Sequence, residues 1–151
     1  MSKVYYTYIF TMIAVYSCSS DFNHSDRITY FLSERNIFLE QEAIIITITG
    51  TCGSCDRQTI DLLNELSKID NFNLILKIII ISDRQIGIIS NIENNEFIII
   101  SESDYQLGRY GINFDKNLLI HYGKSEKIKY WKWLYMDNFH DIRDYYNLKH
   151  V

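Results

Sequence analysis

One stretch constrains this chain more than any other: residues 43–66, AIIITITGTCGSCDRQTIDLLNEL. Ile44, Ile45, Ile46, Thr47 and Ile48 form an unbroken β-branched run that reads as a buried strand. Gly50 ends it. Beyond Cys52-Gly53-Ser54-Cys55 the pattern turns helical, with Ile60, Leu63, Leu66 and Ile69 at three-residue spacing and Leu62 widening the stripe. The two cysteines therefore sit where a strand hands over to a helix, the placement that dithiol chemistry needs. The first turn of a helix has unpaired N–H groups and the positive end of the dipole, and both stabilise a thiolate. Such a setting lowers a cysteine pKa from about 8.5 to between roughly 3.5 and 7.5. Cys52 is then the exposed nucleophile. Cys55, almost one helical turn further on, attacks the mixed disulfide that Cys52 forms.

A plainer reading makes the pair two small core hydrophobes, since free cysteine is often buried as one. The strand-to-helix position favours the redox reading, and the chain has just one other cysteine, Cys18. Zinc is disfavoured and no metal is expected. One C-x-x-C supplies two ligands, no second pair exists, and His24, His121, His140 and His150 are scattered.

The 151 residues suffice for one domain with its own core plus short appendages. A net charge of −4 argues against nucleic acid as the main partner. No Gly-rich phosphate loop and no paired-carboxylate site is present, so neither a nucleotide nor any other cofactor is expected, and hydrolysis has no support.

Lys3, followed by the uncharged and largely apolar residues 4–16, reads as an export signal too short for a transmembrane helix. It ends Val15-Tyr16-Ser17-Cys18 and resembles a bacterial lipoprotein signal, in which the cysteine of a small-residue motif becomes the lipidated first residue. Ser17 suits the position before that cysteine, whereas Tyr16 is larger than the residue usually found there. The resemblance implies a signal peptide over 1–17, a lipid on Cys18, a polar tether over 18–26 and a folded domain over 27–151. It places the protein on the periplasmic side of a bacterial envelope membrane. It also accounts for the odd cysteine, which acylation removes from disulfide chemistry. An ordinary signal peptide and an apolar N-terminal strand stay open for the same residues.

Residues 28–40 fit either a short helix or a pair of strands covering one edge of the core. After Asp70-Asn71, residues 74–81 (LILKIIII) are nearly all apolar, the mark of a strand buried on both faces of a parallel sheet. Joined to the first strand through the cysteine helix, this one completes a right-handed βαβ unit. Ser82-Asp83 caps a helical segment over 84–94, with Ile86, Ile89 and Ile92 at three-residue spacing and Gly87 weakening it. Residues 97–100 form a short strand, and 104–112 a short helix ending near Gly111. Residues 118–122 and 127–134 flank Gly123-Lys124 as an antiparallel hairpin, and 138–148 close the chain as an amphipathic helix. Alternation along the last strand sends Tyr130, Lys132 and Leu134 to one face and Trp131, Trp133 and Tyr135 to the other.

This order of elements over residues 43–148 resembles the thioredoxin-like family. It is most like the thiol-disulfide oxidoreductases of the bacterial cell envelope and their peroxiredoxin relatives. Its landmarks are TCGSC at 51–55, ISD at 81–83, YGI at 110–112 and HYGK at 121–124. The resemblance implies an α/β thioredoxin-like three-layer sandwich, a mixed central sheet with helices on both faces. It also implies that Cys52 and Cys55 cycle as a redox-active disulfide, with protein thiols or disulfides, or an envelope redox partner, as their counterparts. Members commonly follow YGI with a cis-proline whose loop lies beside the disulfide and binds the substrate backbone. Here Asn113-Phe114-Asp115-Lys116-Asn117 follows, with Asp115 or Lys116 in the proline's place, and the chain has no proline at all. A cis bond before any other residue costs about 2.5–4 kcal/mol, so this loop is expected to be trans and reshaped. Thr51 replaces the usual tryptophan, Ser54 a common proline, and Ile46 the buried acid often found six residues before the first cysteine.

Two other functions stay open. Thr49, three residues before Cys52, gives T-x-x-C, a fragment of the peroxiredoxin pattern in which a threonine hydroxyl orients the peroxide beside the thiolate. The proline that precedes that motif in peroxiredoxins is absent. The other is a redox-inactive thioredoxin-like lipoprotein that binds an envelope partner, with the aromatic run from Tyr130 to Tyr135 as its surface.

Overall fold

The unbroken isoleucine run has a direct structural cause: its strand is covered on both sides. The computed structural model describes residues 24–50, 53–69, 72–93 and 96–148. In chain order the elements are α1 (His24–Ser33), β1 (Ala43–Ile48), α2 (Gly53–Leu66), β2 (Leu76–Ser82), β3 (Ile98–Glu102), α3 (Asp104–Arg109), β4 (Asn117–Tyr122), β5 (Ile128–Leu134) and α4 (Asn138–Tyr145). The strands form one sheet in the order β3-β2-β1-β4-β5. β1 lies at its centre, parallel to β2 with Ala43 opposite Leu76, and antiparallel to β4 with Ala43 opposite Tyr122. β3 extends the parallel half, and β5 pairs antiparallel with β4.

Successive residues of a strand point to opposite faces, and β1 divides the core accordingly. Ile44, Ile46 and Ile48 join Leu62, Leu63 and Leu66 of α2 and Phe139 and Ile142 of α4. Ala43 and Ile45 join Ile28, Phe31 and Leu32 of α1 and Leu107 of α3. With both faces buried there is no polar side to alternate with, so β-branched residues fill every position. The result is the expected α/β thioredoxin-like three-layer sandwich, a mixed sheet between two helical layers.

Several local expectations change. Of residues 28–40, the first six close a helix and the rest form a turn and an irregular stretch with no strand, because Ile28, Phe31 and Leu32 at three- and four-residue spacing make one apolar face. This helix starts at His24, inside the stretch expected to be tether, and Ser25 is fixed by a 3.0 Å hydrogen bond with the Tyr122 hydroxyl. β2 starts at Leu76 rather than at residue 74, since Phe72–Leu74 is a 3₁₀ turn that buries Phe72 and leaves Leu74 74% exposed. The segment expected to be an α-helix over 84–94 is a 3₁₀-helix, Asp83–Asn91. Ile86, Ile89 and Ile92, three apart, suit a three-residue period in which i and i+3 eclipse. Ser82 does not cap that helix, because its hydroxyl donates to the Asp104 carboxylate at 2.6 Å. β3 starts at Ile98, just after Phe97 turns into the core, and runs on to Glu102. The hairpin turn is a 3₁₀ turn at Lys124–Glu126, with Ser125 and Glu126 at positive φ. The last helix stops at Tyr145. Among the described residues no helix is long and apolar enough to cross a membrane.

Candidate redox site

β1 ends at Ile48 and α2 begins at Gly53. Thr51 and Cys52 between them lie outside the described residues, as does Cys18. The third residue of α2 is Cys55, which is buried and disulfide-bonded, while Gly53 and Ser54 beside it are exposed. That burial follows from helix phase. Cys55, Thr59, Leu62 and Leu66 lie on the inward face of α2, and the first two are joined directly, the Thr59 hydroxyl donating to the Cys55 carbonyl at 2.7 Å.

The loop that would hold a cis-proline closes over this junction. Every described peptide bond is trans, those of the loop included, as the absence of proline requires. The Thr49 hydroxyl is buried and clamps the loop from both sides, donating to the Phe114 carbonyl and accepting from the Phe114 N–H, each at 3.1 Å. Gly50 meets it so closely that a Cβ would stand 2.8 Å from the Asp115 carbonyl oxygen, which excludes any larger residue. Both backbone groups of Gly50 are taken by side chains, the carbonyl by the Gln85 amide and the N–H by Asn117 Oδ1 at 3.1 Å.

Asn117, only 2% exposed, joins the two halves of the site. Since its Oδ1 accepts from Gly50, its Nδ2 faces α2 and donates to Asp56 Oδ1 at 2.9 Å and to Thr59 Oγ1 at 3.4 Å. Burial pushes the Asp56 carboxyl above its ordinary range, and the Asn117 bond partly offsets that. Sequence reasoning missed Asn117, Asp56 and Gln85. One signal was there for Asn117: a carboxamide opening the apolar strand NLLIHY has to find partners, because buried polar groups are paired.

On the other side of the loop lies an open cleft of about 590 Å³, lined by His24, Arg27, Phe114, Asp115, Lys116 and Trp133 among others. The His24, Phe114 and Trp133 rings meet edge to face at 4.8 to 5.6 Å. Burial, then the Arg27 charge, lowers the His24 pKa.

The aromatic run on β5 is only partly used up internally, since Trp131 stays 38% exposed. Leu134 is core on the α2 and α4 side, where Tyr130 packs and stacks on Tyr145 at 3.9 Å, and Trp133 packs on the α1 side. His121 is tied to Glu42 at the opposite end of β4 from Asn117, and among the described residues no three His, Cys, Asp or Glu side chains converge to hold a metal. No protein-family model, curated protein or solved structure matches this chain.

Proposed function

We propose that the protein is a thiol-disulfide oxidoreductase of the cell envelope whose Cys52 and Cys55 cycle between dithiol and disulfide. The observation that carries this reading is Cys55 itself, buried, disulfide-bonded and on the first turn of the helix that follows the central strand. The Cys52 thiolate attacks a client disulfide, and one client sulfur leaves as a thiolate. Cys55 then attacks Cys52 Sγ, releasing the second client thiol and closing the protein's own disulfide. Run backwards, the same steps oxidise a client dithiol. The peroxidase alternative is less well supported, because the Thr49 hydroxyl is engaged with Phe114 on both its donor and acceptor sides. The binding-module alternative keeps only part of its surface, because Tyr130 and Leu134 pack on one face of β5 and Trp133 on the other, with Trp131 left exposed.

Cys55→Ser is expected to accumulate mixed disulfides with client proteins through Cys52, and Cys52→Ser to accumulate few or none. Non-reducing electrophoresis of both variants reads this out. Faster alkylation of Cys55 than of Cys52 at neutral pH would reverse the two roles, and no alkylation of either in the reduced folded protein would sink the redox reading. The envelope location rests on Cys18, which we propose carries the lipid anchor; several acyl chains together make such anchoring stable. Radioactive fatty acid should label the wild type and not Cys18→Ala.

A further inference from the structure

Independently of the dithiol, we infer that Tyr145 is a one-electron redox site, giving an electron to a radical oxidant at the surface and its hydroxyl proton to His121. The strand register assembles this site. His121 on β4 stands opposite Tyr130 on β5 and opposite Ile44 on β1, so all three face the layer of α2 and α4. The last residue of α4, Tyr145, lies flat on the Tyr130 ring, 3.9 Å between centroids and 8° between planes. Glu42, just before β1, accepts from His121 Nε2 and from Lys129 Nζ, each at 2.7 Å.

The Lys129 bond holds the Glu42 carboxyl below its ordinary range, so it is ionised and can only accept. The imidazole hydrogen is therefore on Nε2. That leaves a lone pair on Nδ1, and the Tyr145 hydroxyl, 3.2 Å away, is the donor. Hydroxyl, base and the carboxylate that orients the base stand in the order of a catalytic triad. A phenol that loses an electron becomes strongly acidic, so its oxidation is easy only where a base already touches the hydroxyl. Of the tyrosines clustered here, Tyr145 has that base. The Tyr130 and Tyr146 hydroxyls are buried with no partner among the described residues. Burial also disfavours ionisation of Tyr145 beforehand, so the proton and the electron leave together. Tyr145 is 37% exposed, whereas His121 beneath it is buried, so a diffusing oxidant meets the phenol and not its base. The charged groups facing the cluster are Glu42, Lys129 on β5, and Asp141 and Asp144 on α4.

In the step itself Tyr145 passes one electron to the oxidant, a diffusible radical of the peroxyl or nitrogen dioxide class, which is reduced to its anion. The phenol O–H bond breaks and an N–H bond forms at His121 Nδ1. Tyr145 is left as a neutral phenoxyl radical, and the new imidazolium faces the Glu42 carboxylate. One electron from a small donor such as ascorbate, with return of the proton from His121, restores the phenol. Glu42 is a positioning residue in this scheme, since it acts through the imidazole.

The test uses the full chain, disulfide intact and free thiols alkylated, with photogenerated ruthenium(III) tris-bipyridine as the oxidant. Transient absorbance times the tyrosyl radical and freeze-quench EPR identifies it. At neutral pH the wild type should show a fast phase whose rate does not depend on phosphate concentration, because the base is internal, and which slows in heavy water. Tyr145→Phe should remove that phase and leave the buffer-dependent oxidation of exposed tyrosines such as Tyr30 and Tyr105. His121→Gln should slow Tyr145 oxidation by about 10²-fold, the lower end for a lost general base, and make it buffer-dependent. Glu42→Gln keeps an acceptor for Nε2 and removes its charge. It should raise the potential of the Tyr145 couple in voltammetry, and an unmoved potential would take Glu42 out of the scheme. The same fast phase in Tyr145→Phe, or a wild-type rate that rises in proportion to phosphate, overturns the inference. If His121→Gln does not fold, those two measurements decide the matter, and failure of the dithiol assays leaves them untouched.

Discussion

β4 presents two buried polar side chains to the same helical layer, and they are built differently. Asn117 at its start lies under α2, His121 near its end lies under α4, and Leu119 separates them on that face. Asn117 is held by four groups that all belong to the cysteine junction or brace it: Gly50, Asp56, Thr59 and, through Thr59, the Cys55 carbonyl. His121 sits in an aromatic nest. Its Nε2–H donates to Glu42 at 2.7 Å, the Tyr145 hydroxyl donates to its Nδ1 at 3.2 Å, and Tyr146 stacks on it at 5.6 Å. The Tyr130 and Tyr146 hydroxyls nearby are buried with no partner among the described residues. By the usual criterion of unsatisfied polar groups the His121 end looks the more suspicious. On the proposed function the thiol chemistry belongs to the other end, because there the network reaches the Cys55 backbone. What marks a site here is connection to a nucleophile, and unsatisfied hydroxyls can simply be the cost of packing three tyrosines.

The largest expected effect tests whether the two ends share one core. Leu119→Ala, at a fully buried position between them, should cost about 2–5 kcal/mol in denaturant unfolding and weaken both ends alike. A loss below about 0.5 kcal/mol, the range of an exposed site, would mean that the ends are independent. Next in size, Asn117→Ala strands the buried Gly50 N–H, which should cost about 1–3 kcal/mol. It should also change the alkylation rate of the dithiol. His121→Ala should destabilise the fold and leave that rate alone. Equal effects of the two variants on thiol reactivity would abolish the distinction drawn here.

The sequence disclosed these two ends unequally. β1 and β2 are legible because burial on both faces leaves a compositional trace in every position, and the α2 stripe of Ile60, Leu62, Leu63 and Leu66 is legible for the same local reason. The site was legible only as far as its covalent neighbours, in the spacing of Cys52 and Cys55 and the strand-to-helix setting. Asn117 binds residues that lie 58 to 67 positions away in the chain, and no local pattern records such distances. The Asp83–Asn91 segment failed differently. Three-residue spacing of isoleucine serves a 3₁₀-helix and an α-helix alike, and the partner that diverts the Ser82 hydroxyl, Asp104, lies 22 positions further along the chain. The roles read for Cys18 and Cys52 fall on residues outside the described ones and rest on the chain's residue order alone.

The smallest expected effect is a pH dependence that belongs to the His121 end. Burial lowers the pKa of His121, and the hydrogen bond and charge of Glu42 pull it back up without cancelling the shift. The folded protein therefore holds this proton more weakly than the unfolded chain, where the imidazole titrates near 6.5. Above that pH both states are neutral at this site and the contribution is fully present. As pH falls through 6.5 the unfolded state gains protons first, so stability declines until the folded-state pKa is passed. His24, lowered by burial and by Arg27, adds to the decline in the same direction. Glu42 acts in a separate window. Its pKa is lowered, chiefly by the hydrogen bond from Lys129, so its contribution is present above 4.5 and lost only in more acidic solution. Urea midpoints measured on either side of pH 6.5 at constant ionic strength should therefore fall on the acid side for the wild type. They should fall less for His121→Gln, with His24 supplying the remainder. A steeper fall in His121→Gln than in the wild type would show instead that Glu42 keeps the imidazole charged in the folded state. The aromatic end would then be an ion pair wrapped in rings, and the contrast with the neutral carboxamide at Asn117 would be sharper than packing alone makes it.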